Sequence, residues 1–140
     1  MKILLAADGS PYTKKALAFL ATHETLCGPE DKLYVLHVQA PLPPGVKTMV
    51  GAGVAYDWHR EEAQKVLEPA ERFLTRHAIE FKTSWRVGNP AAEIAAIAKK
   101  QGAHMIVMGT HGHGVIGRAV MGSVSQKVVQ ASEVPVLLVK

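Results

Sequence analysis

Residues Lys2 to Leu20 read K-I-L-L-A-A-D-G-S-P-Y-T-K-K-A-L-A-F-L, and their order of aliphatic run, turn and periodic segment decides the fold. Lys2 to Ala7 is a short strand. Asp8-Gly9-Ser10-Pro11 is a turn in which Ser10 serves as N-cap and Pro11 as the first helical residue. Ala16, Leu17, Phe19 and Leu20 then recur at helical spacing, predicting a helix from Pro11 to about His23, with Cys27-Gly28-Pro29 ending it.

The same unit recurs along the chain. Lys32 to Gln39 is nearly continuous in apolar residues, as a strand covered on both faces must be. Ala40 to Gly53 carries three prolines and three glycines without periodicity and reads as one long loop, a flap over a site. A helix from about Val54 to His77 follows, bent at Pro69. Glu80 to Val87 is a strand, Gly88-Asn89-Pro90 a turn with Asn89 as N-cap, and Ala91 to Lys100 a helix ended by Gly102. Ala103 to Met108 is a strand, Ser123 to Ser132 a helix, and Pro135 to Val139 a final strand. The predicted order β-α-β-α-β-α-β-α-β is the α/β class: an open parallel five-stranded sheet with right-handed crossovers and helices on both faces. Ligands of such sheets sit outside the carboxyl ends of strands, where the winding reverses. A site built from the loops after strands one and four requires those strands to be neighbours, which is the order 3-2-1-4-5 of a Rossmann-like half.

Composition narrows the function classes. At 140 residues and 48% hydrophobic content the chain is expected to form a single domain, 1–140. Its first apolar run is too short for a signal peptide or membrane span, so no membrane association and a cytoplasmic location are expected. The single cysteine, Cys27, has no partner for a disulfide and reads as a small buried hydrophobe. The net charge of +4 falls wholly after residue 93. No cluster of basic residues interleaved with aromatics accompanies it, so no nucleic acid is expected and a small anionic ligand accounts for the asymmetry better.

That positive end holds the richest functional signal. From Met108 to Ser125 the chain reads M-G-T-H-G-H-G-V-I-G-R-A-V-M-G-S-V-S, directly after an apolar strand. Glycines here admit positive φ and close approach of a ligand to the backbone, and a helix starting after Gly122 would offer free amides to an anion. Gly112 to Gly117 matches the dinucleotide fingerprint G-x-G-x-x-G, but only one strand remains after it and no acid follows to hold a ribose. Gly117 to Ser123 has the spacing of a Walker loop, with Ser123 standing where its lysine belongs. The third pattern is G-x2-G-x9-G-[ST], met by Gly109, Gly112, Gly122 and Ser123.

This last pattern resembles the ATP-binding subgroup of the universal stress protein family, and the resemblance covers the whole chain. It extends to the opening K-I-L-L-A-A-D-G-S, to L-H-V at the end of strand two, to G-N-P before the third helix and to V-P-V-L-L-V at the terminus. It implies an adenine-nucleotide-binding stress protein with a regulatory role. Ala6, Ala7 and Asp8 would contact adenosine, Val38 would meet the adenine, and Met108 and Gly109 would face the ribose. Gly112, Gly122, Ser123, Val124 and Ser125 would enclose the triphosphate of ATP, accompanied by Mg2+ or Mn2+ rather than a protein-held metal. The resemblance also implies a homodimer through the last strand, Val134 to Val139, whose apolar edge invites pairing. The client protein is not encoded in any motif.

Other readings remain beside this one. Asp8 suits ribose or metal and equally the bracing of its own turn. His111 and His113 either cap phosphate oxygens, respond to pH or remain plain loop residues. A metal site from these two, with His104 added, is disfavoured, because zinc wants three or four ligands and no acid or thiol lies near them in sequence. Arg118 reaches a phosphate or stays solvated, and His37 reads as a hydrogen-bonded core histidine. No catalytic residue is assigned: no nucleophile with its base, no paired carboxylates and no lysine or arginine finger are recognisable, leaving at most slow ATP hydrolysis. A nucleotide-independent interaction module is the alternative class.

Overall fold

The computed structural model describes residues 1–112 and 121–140. His113, Arg118 and the middle of both shorter phosphate motifs lie outside the described residues. The elements are β1 (Lys2–Ala6), α1 (Pro11–Ala21), β2 (Lys32–Gln39), α2 (Pro44–Val50), α3 (Ala52–Arg76), β3 (Phe81–Val87), α4 (Pro90–Gln101), β4 (Met105–Gly109), α5 (Ser123–Ala131) and β5 (Val136–Val139). All pairings are parallel, in the order β3-β2-β1-β4-β5.

Period-two alternation sorts the sheet into two cores. Ile3, Leu5, Leu33, Val35 and Val107 pack with Leu17 and Leu20 of α1 and with Ala63, Leu67 and Leu74 of α3. Leu4, Leu36, Ile106 and Met108 pack with Ile94 and Ile97 of α4 and Val128 of α5. A strand whose successive residues enter two apolar layers must be apolar throughout, which is why β1, β2 and β4 lack a polar face. Cys27 is buried in the first layer, and burial pushes its thiol up from its usual range, with the nearby Asp31 carboxylate adding to the rise.

Helix boundaries follow from capping. Ser10 Oγ accepts the Thr13 N–H at the start of α1, and Asn89 Oδ1 accepts the Ala92 N–H at the start of α4. α1 stops at Ala21, short of the expected His23, because Thr22 Oγ1 donates to the Ala18 carbonyl and His23 Nδ1 to the Phe19 carbonyl, satisfying the last turn. α4 closes on Gly102 in the left-handed region, φ 65°.

The long loop expected over Ala40 to Gly53 is corrected by the structure, for Pro44–Val50 forms α2. Pro44 supplies a preset first turn and Gly51 ends it, yet none of the seven residues is buried. A helix that buries nothing shows no apolar periodicity, so it left no trace in the sequence pattern. α3 starts two residues earlier than expected and continues through Pro69. Its buried stripe is Ala55, His59, Ala63, Leu67, Ala70 and Leu74. Pro69 itself is exposed, so the carbonyl one turn before it is left without a donor on the watered side. Among the described residues no helix is long and apolar enough to cross a membrane.

Two outcomes test this packing. Ile106→Ala, at a fully buried position, should cost about 2–5 kcal/mol in urea unfolding. The Cys27 thiol should react slowly with a disulfide reagent at pH 7.5 in the folded chain and rapidly in denaturant; equal rates would contradict its burial.

Candidate functional site

β1 is paired with β2 on one side and β4 on the other, so the winding direction reverses beside it. A cavity of about 230 Å³ opens at that point, over the carboxyl ends of the three strands. Ala6, Ala7, Asp8, Val38, Met108, Gly109, Gly112, Ser123, Val124 and Ser125 line it, while Gly122 sits beside them as the N-cap of α5. Thr13, Leu36, Pro90, Ile94 and His111 complete the described lining. Sequence reading missed Leu36, Pro90 and Ile94 because they look like ordinary core and turn residues. Only the path of α4 across the sheet brings its first turns to the cavity wall. The Asn89-Pro90 cap after β3 was the one available signal.

Asp8 performs a local task and also reaches across the sheet. Its Oδ1 accepts the Ser10 N–H at 2.9 Å and the Thr13 hydroxyl at 2.8 Å, while Thr13 Oγ1 accepts the Asp8 N–H at 3.1 Å. This ties the β1 turn to the first turn of α1. Its other oxygen, Oδ2, lies against Gly112, where an added Cβ would come within 2.5 Å of it. The loops after β1 and β4 are therefore in contact.

The apolar end of the cavity carries a backbone edge. The last rung between β1 and β2 is the Ala7 N–H donating to the Leu36 carbonyl, and the Gly88 N–H donates to the Gln39 carbonyl on the β3 side. Backbone groups of a strand alternate in direction, so the N–H and C=O of Val38 face the β1 side, where β1 has already ended. His37 is buried and its Nδ1 donates to the Ala7 carbonyl at 2.8 Å. It is a hydrogen-bonded core histidine, and it holds the end of β1 against β2.

The opposite end is polar. Gly122, having no side chain, cannot cap α5 as Ser10 and Asn89 cap α1 and α4. The amides of Ser123, Val124 and Ser125 precede the first intrahelical donor, Gln126, whose N–H reaches the Gly122 carbonyl. The helix start is fixed by the Thr110 carbonyl, which accepts both the Gly122 N–H at 2.7 Å and the Ser125 hydroxyl at 2.6 Å. Thr110 N–H in turn donates to the Val139 carbonyl of β5. The Ser125 hydroxyl is thus a brace for the helix.

The reason for the glycines differs from the expected one. Among the described glycines positive φ occurs at Gly9, Gly51 and Gly102, not at Gly109, Gly112 or Gly122. These three are required for space. A Cβ on Gly109 would collide with Tyr12 of α1, one on Gly112 with Asp8, and one on Gly122 would press on the His111 backbone at 3.3 Å.

The histidines separate. His104 Nδ1 accepts the Lys2 N–H at the amino end of β4, more than about 15 Å along the strand from His111. Among the described residues no group of three or more His, Cys, Asp or Glu is placed to hold a metal ion. His111 lines the cavity, with its ring 4.8 Å from that of Tyr12 and its Nδ1 2.8 Å from Thr110 Oγ1.

Residues 1–140, the whole chain, match the profile of the universal stress protein family. The chain belongs to this family. It is 32% identical over 152 residues to universal stress protein YxiE of Bacillus subtilis, covering 99% of this chain and 98% of that protein. The solved structure of MJ0577, a universal stress protein of Methanocaldococcus jannaschii, superposes with a TM-score of 0.83 at 30% identity, covering 99% and 94% of the two chains. A universal stress protein from Archaeoglobus fulgidus, solved in complex with dAMP, superposes with a TM-score of 0.73 at 26% identity, covering 100% and 98%.

The space argument at Gly109 is directly testable. Gly109→Ala should destabilise the chain by about 1–3 kcal/mol, and Tyr12→Ala should not rescue it, because the clash includes Tyr12 backbone. Full rescue in the double variant would refute the account.

Proposed function

We propose that this protein binds ATP in the cavity above β1 and β4, with Mg2+ or Mn2+ entering on the nucleotide, and serves as a cytoplasmic stress-response regulatory protein. The observation that carries this reading is the start of α5, where a glycine N-cap brings no capping side chain to the first three helix amides, at the wall of the cavity. Such a terminus favours phosphate through its N–H groups and its dipole. Ser123, Val124 and Ser125 supply the amides, and Gly112 and Gly122 keep the approach clear. Met108 and Gly109 flank the ribose, with Ala6, Ala7 and Asp8 across from them. The residues fit a nucleotide-borne cation better than a protein-held one, since Asp8 is the only acid in the described lining.

The base end supports adenine. Val38 presents a donor and an acceptor side by side, complementary to N1 and the amino group of adenine and mismatched to N1–H and O6 of guanine. Leu36, Pro90 and Ile94 enclose the ring with apolar surface. The dAMP complex of the Archaeoglobus fulgidus relative agrees with this choice of base.

We assign the homodimer to the edge of β5, which among the described strands pairs with β4 alone and ends the sheet. All four of its residues are half-buried, an apolar edge suited to a second copy.

Nucleotide identified after heat release from the purified protein should be adenine-based. ATP with Mg2+ at 100-fold its dissociation constant should stabilise the fold by about 2.7 kcal/mol, a rise of several degrees in Tm. GTP should give a smaller shift, and Gly122→Leu should abolish the ATP shift. No bound nucleotide together with no ATP-dependent shift would refute the proposal and favour an interaction module.

A further inference from the structure

We propose that the outer edge of β3 docks an extended peptide segment of a partner protein, one in which acidic side chains alternate with apolar ones. The edge lies apart from the cavity, whose described lining includes no residue of β3. The strand reads F-K-T-S-W-R-V, alternating where β1, β2 and β4 do not. Phe81 and Trp85 pack into the layer of α1 and α3, and the Thr83 hydroxyl donates to Glu71 of α3 at 3.0 Å. Lys82, Ser84 and Arg86 therefore project from the opposite face. The layer under α4 and α5 takes in no residue of β3, and Lys82 and Arg86 are exposed.

Among the described strands β3 pairs with β2 alone. The Gly88 N–H donates to the Gln39 carbonyl, which sets the direction of the backbone groups before it. Those of Lys82, Ser84 and Arg86 turn toward β2, and those of Phe81, Thr83, Trp85 and Val87 turn outward. In keeping with that phase, Arg86 Nη1 donates to the Trp85 carbonyl at 2.9 Å. A row of donors and acceptors at strand spacing is complementary to another extended backbone.

Side chains on the two faces define which backbone. On the α3 face the edge borders a groove whose lining includes Tyr56, Thr83, Trp85 and Val87, with the Tyr56 and Trp85 rings 5.4 Å apart. Tyr56 is 57% exposed and Val87 38%, an apolar shelf for alternate side chains of a docked strand. Further along this face Arg60, Glu68 and Glu71 border Thr83 and Trp85, and their charges are mixed. On the other face Lys82 and Arg86 flank Ser84, and neither is in an ion pair among the described residues. Carboxylates of a docked strand would lie opposite them. When a peptide amide takes the Trp85 carbonyl, the Arg86 guanidinium is released to such a carboxylate. A second copy of this chain fits worse. Two β3 strands pairing antiparallel about Ser84 would set Lys82 of each against Arg86 of the other, like charge opposite like.

The probe is a fluorescein-labelled peptide of alternating valine and glutamate, matched in length to β3, with a valine and lysine peptide as control. Fluorescence anisotropy with the full chain reads binding. The glutamate peptide should bind about tenfold or more tightly than the lysine peptide, and Lys82→Glu with Arg86→Glu should invert that preference. Tyr56→Ala should weaken the glutamate peptide several-fold. Methylating the backbone nitrogens of one alternate set in the peptide should abolish binding while methylating the other set leaves it, because only every second amide faces β3. No binding, equal binding of the two peptides, or indifference to both methylated sets would overturn the proposal. Lys82→Ala with Arg86→Ala separates the opposite role of these cations. If that variant self-associates in sedimentation while the glutamate peptide fails to bind the unaltered chain, the two residues guard a bare edge and dock nothing.

Discussion

The pairing of β1 with both β2 and β4 is the constraint on which the rest of the molecule depends. The chain winds outward from β1 to β2 and β3, then crosses back to β4 on the other side of β1 and on to β5, and right-handed crossovers put the helices of the two halves on opposite faces. Helices then diverge above the carboxyl end of β1, and among the described residues no packed element closes the gap. The cavity follows from connectivity, and its residue types follow from which loops border it: Asp8 after β1, Val38 at the end of β2 and the glycine loop after β4.

Hydrogen bonds convert that opening into an ordered site. Thr110 carbonyl accepts from both Gly122 and Ser125, fixing the start of α5 to the end of β4. Asp8 ties its turn to Thr13 and presses against Gly112. His37 secures the end of β1 to β2. Each contact joins two elements at the cavity rim, so the backbone groups lining it are held in place by the fold.

The two ends differ in chemistry because they differ in origin. The apolar end is sheet surface and the first turns of α4, where core packing continues to the rim. The polar end is a helix terminus, where orphan amides are unavoidable unless a side chain caps them. Choosing glycine at the cap position of α5, against Ser10 and Asn89 elsewhere, leaves that end without a capping side chain of its own.

Much of this was legible in the residues themselves. Runs such as Lys32 to Gln39, the caps Ser10 and Asn89, and the spacing of Gly109, Gly112, Gly122 and Ser123 are local signals, because strand burial, helix capping and turn geometry act over a few neighbouring residues. They determined the α/β class, the strand order through the need to join Asp8 with the glycine loop, and most residues that line the cavity. Tertiary structure alone decided the rest. Whether Gly109 serves a ligand or makes room for Tyr12, whether the Ser125 hydroxyl meets a phosphate or the Thr110 carbonyl, and whether Ile94 lines a cavity or a core depend on partners distant in sequence. So does α2, which buries no residue and therefore writes no periodic pattern. Contacts across the sheet have no fixed spacing along the chain, and only folding brings them together.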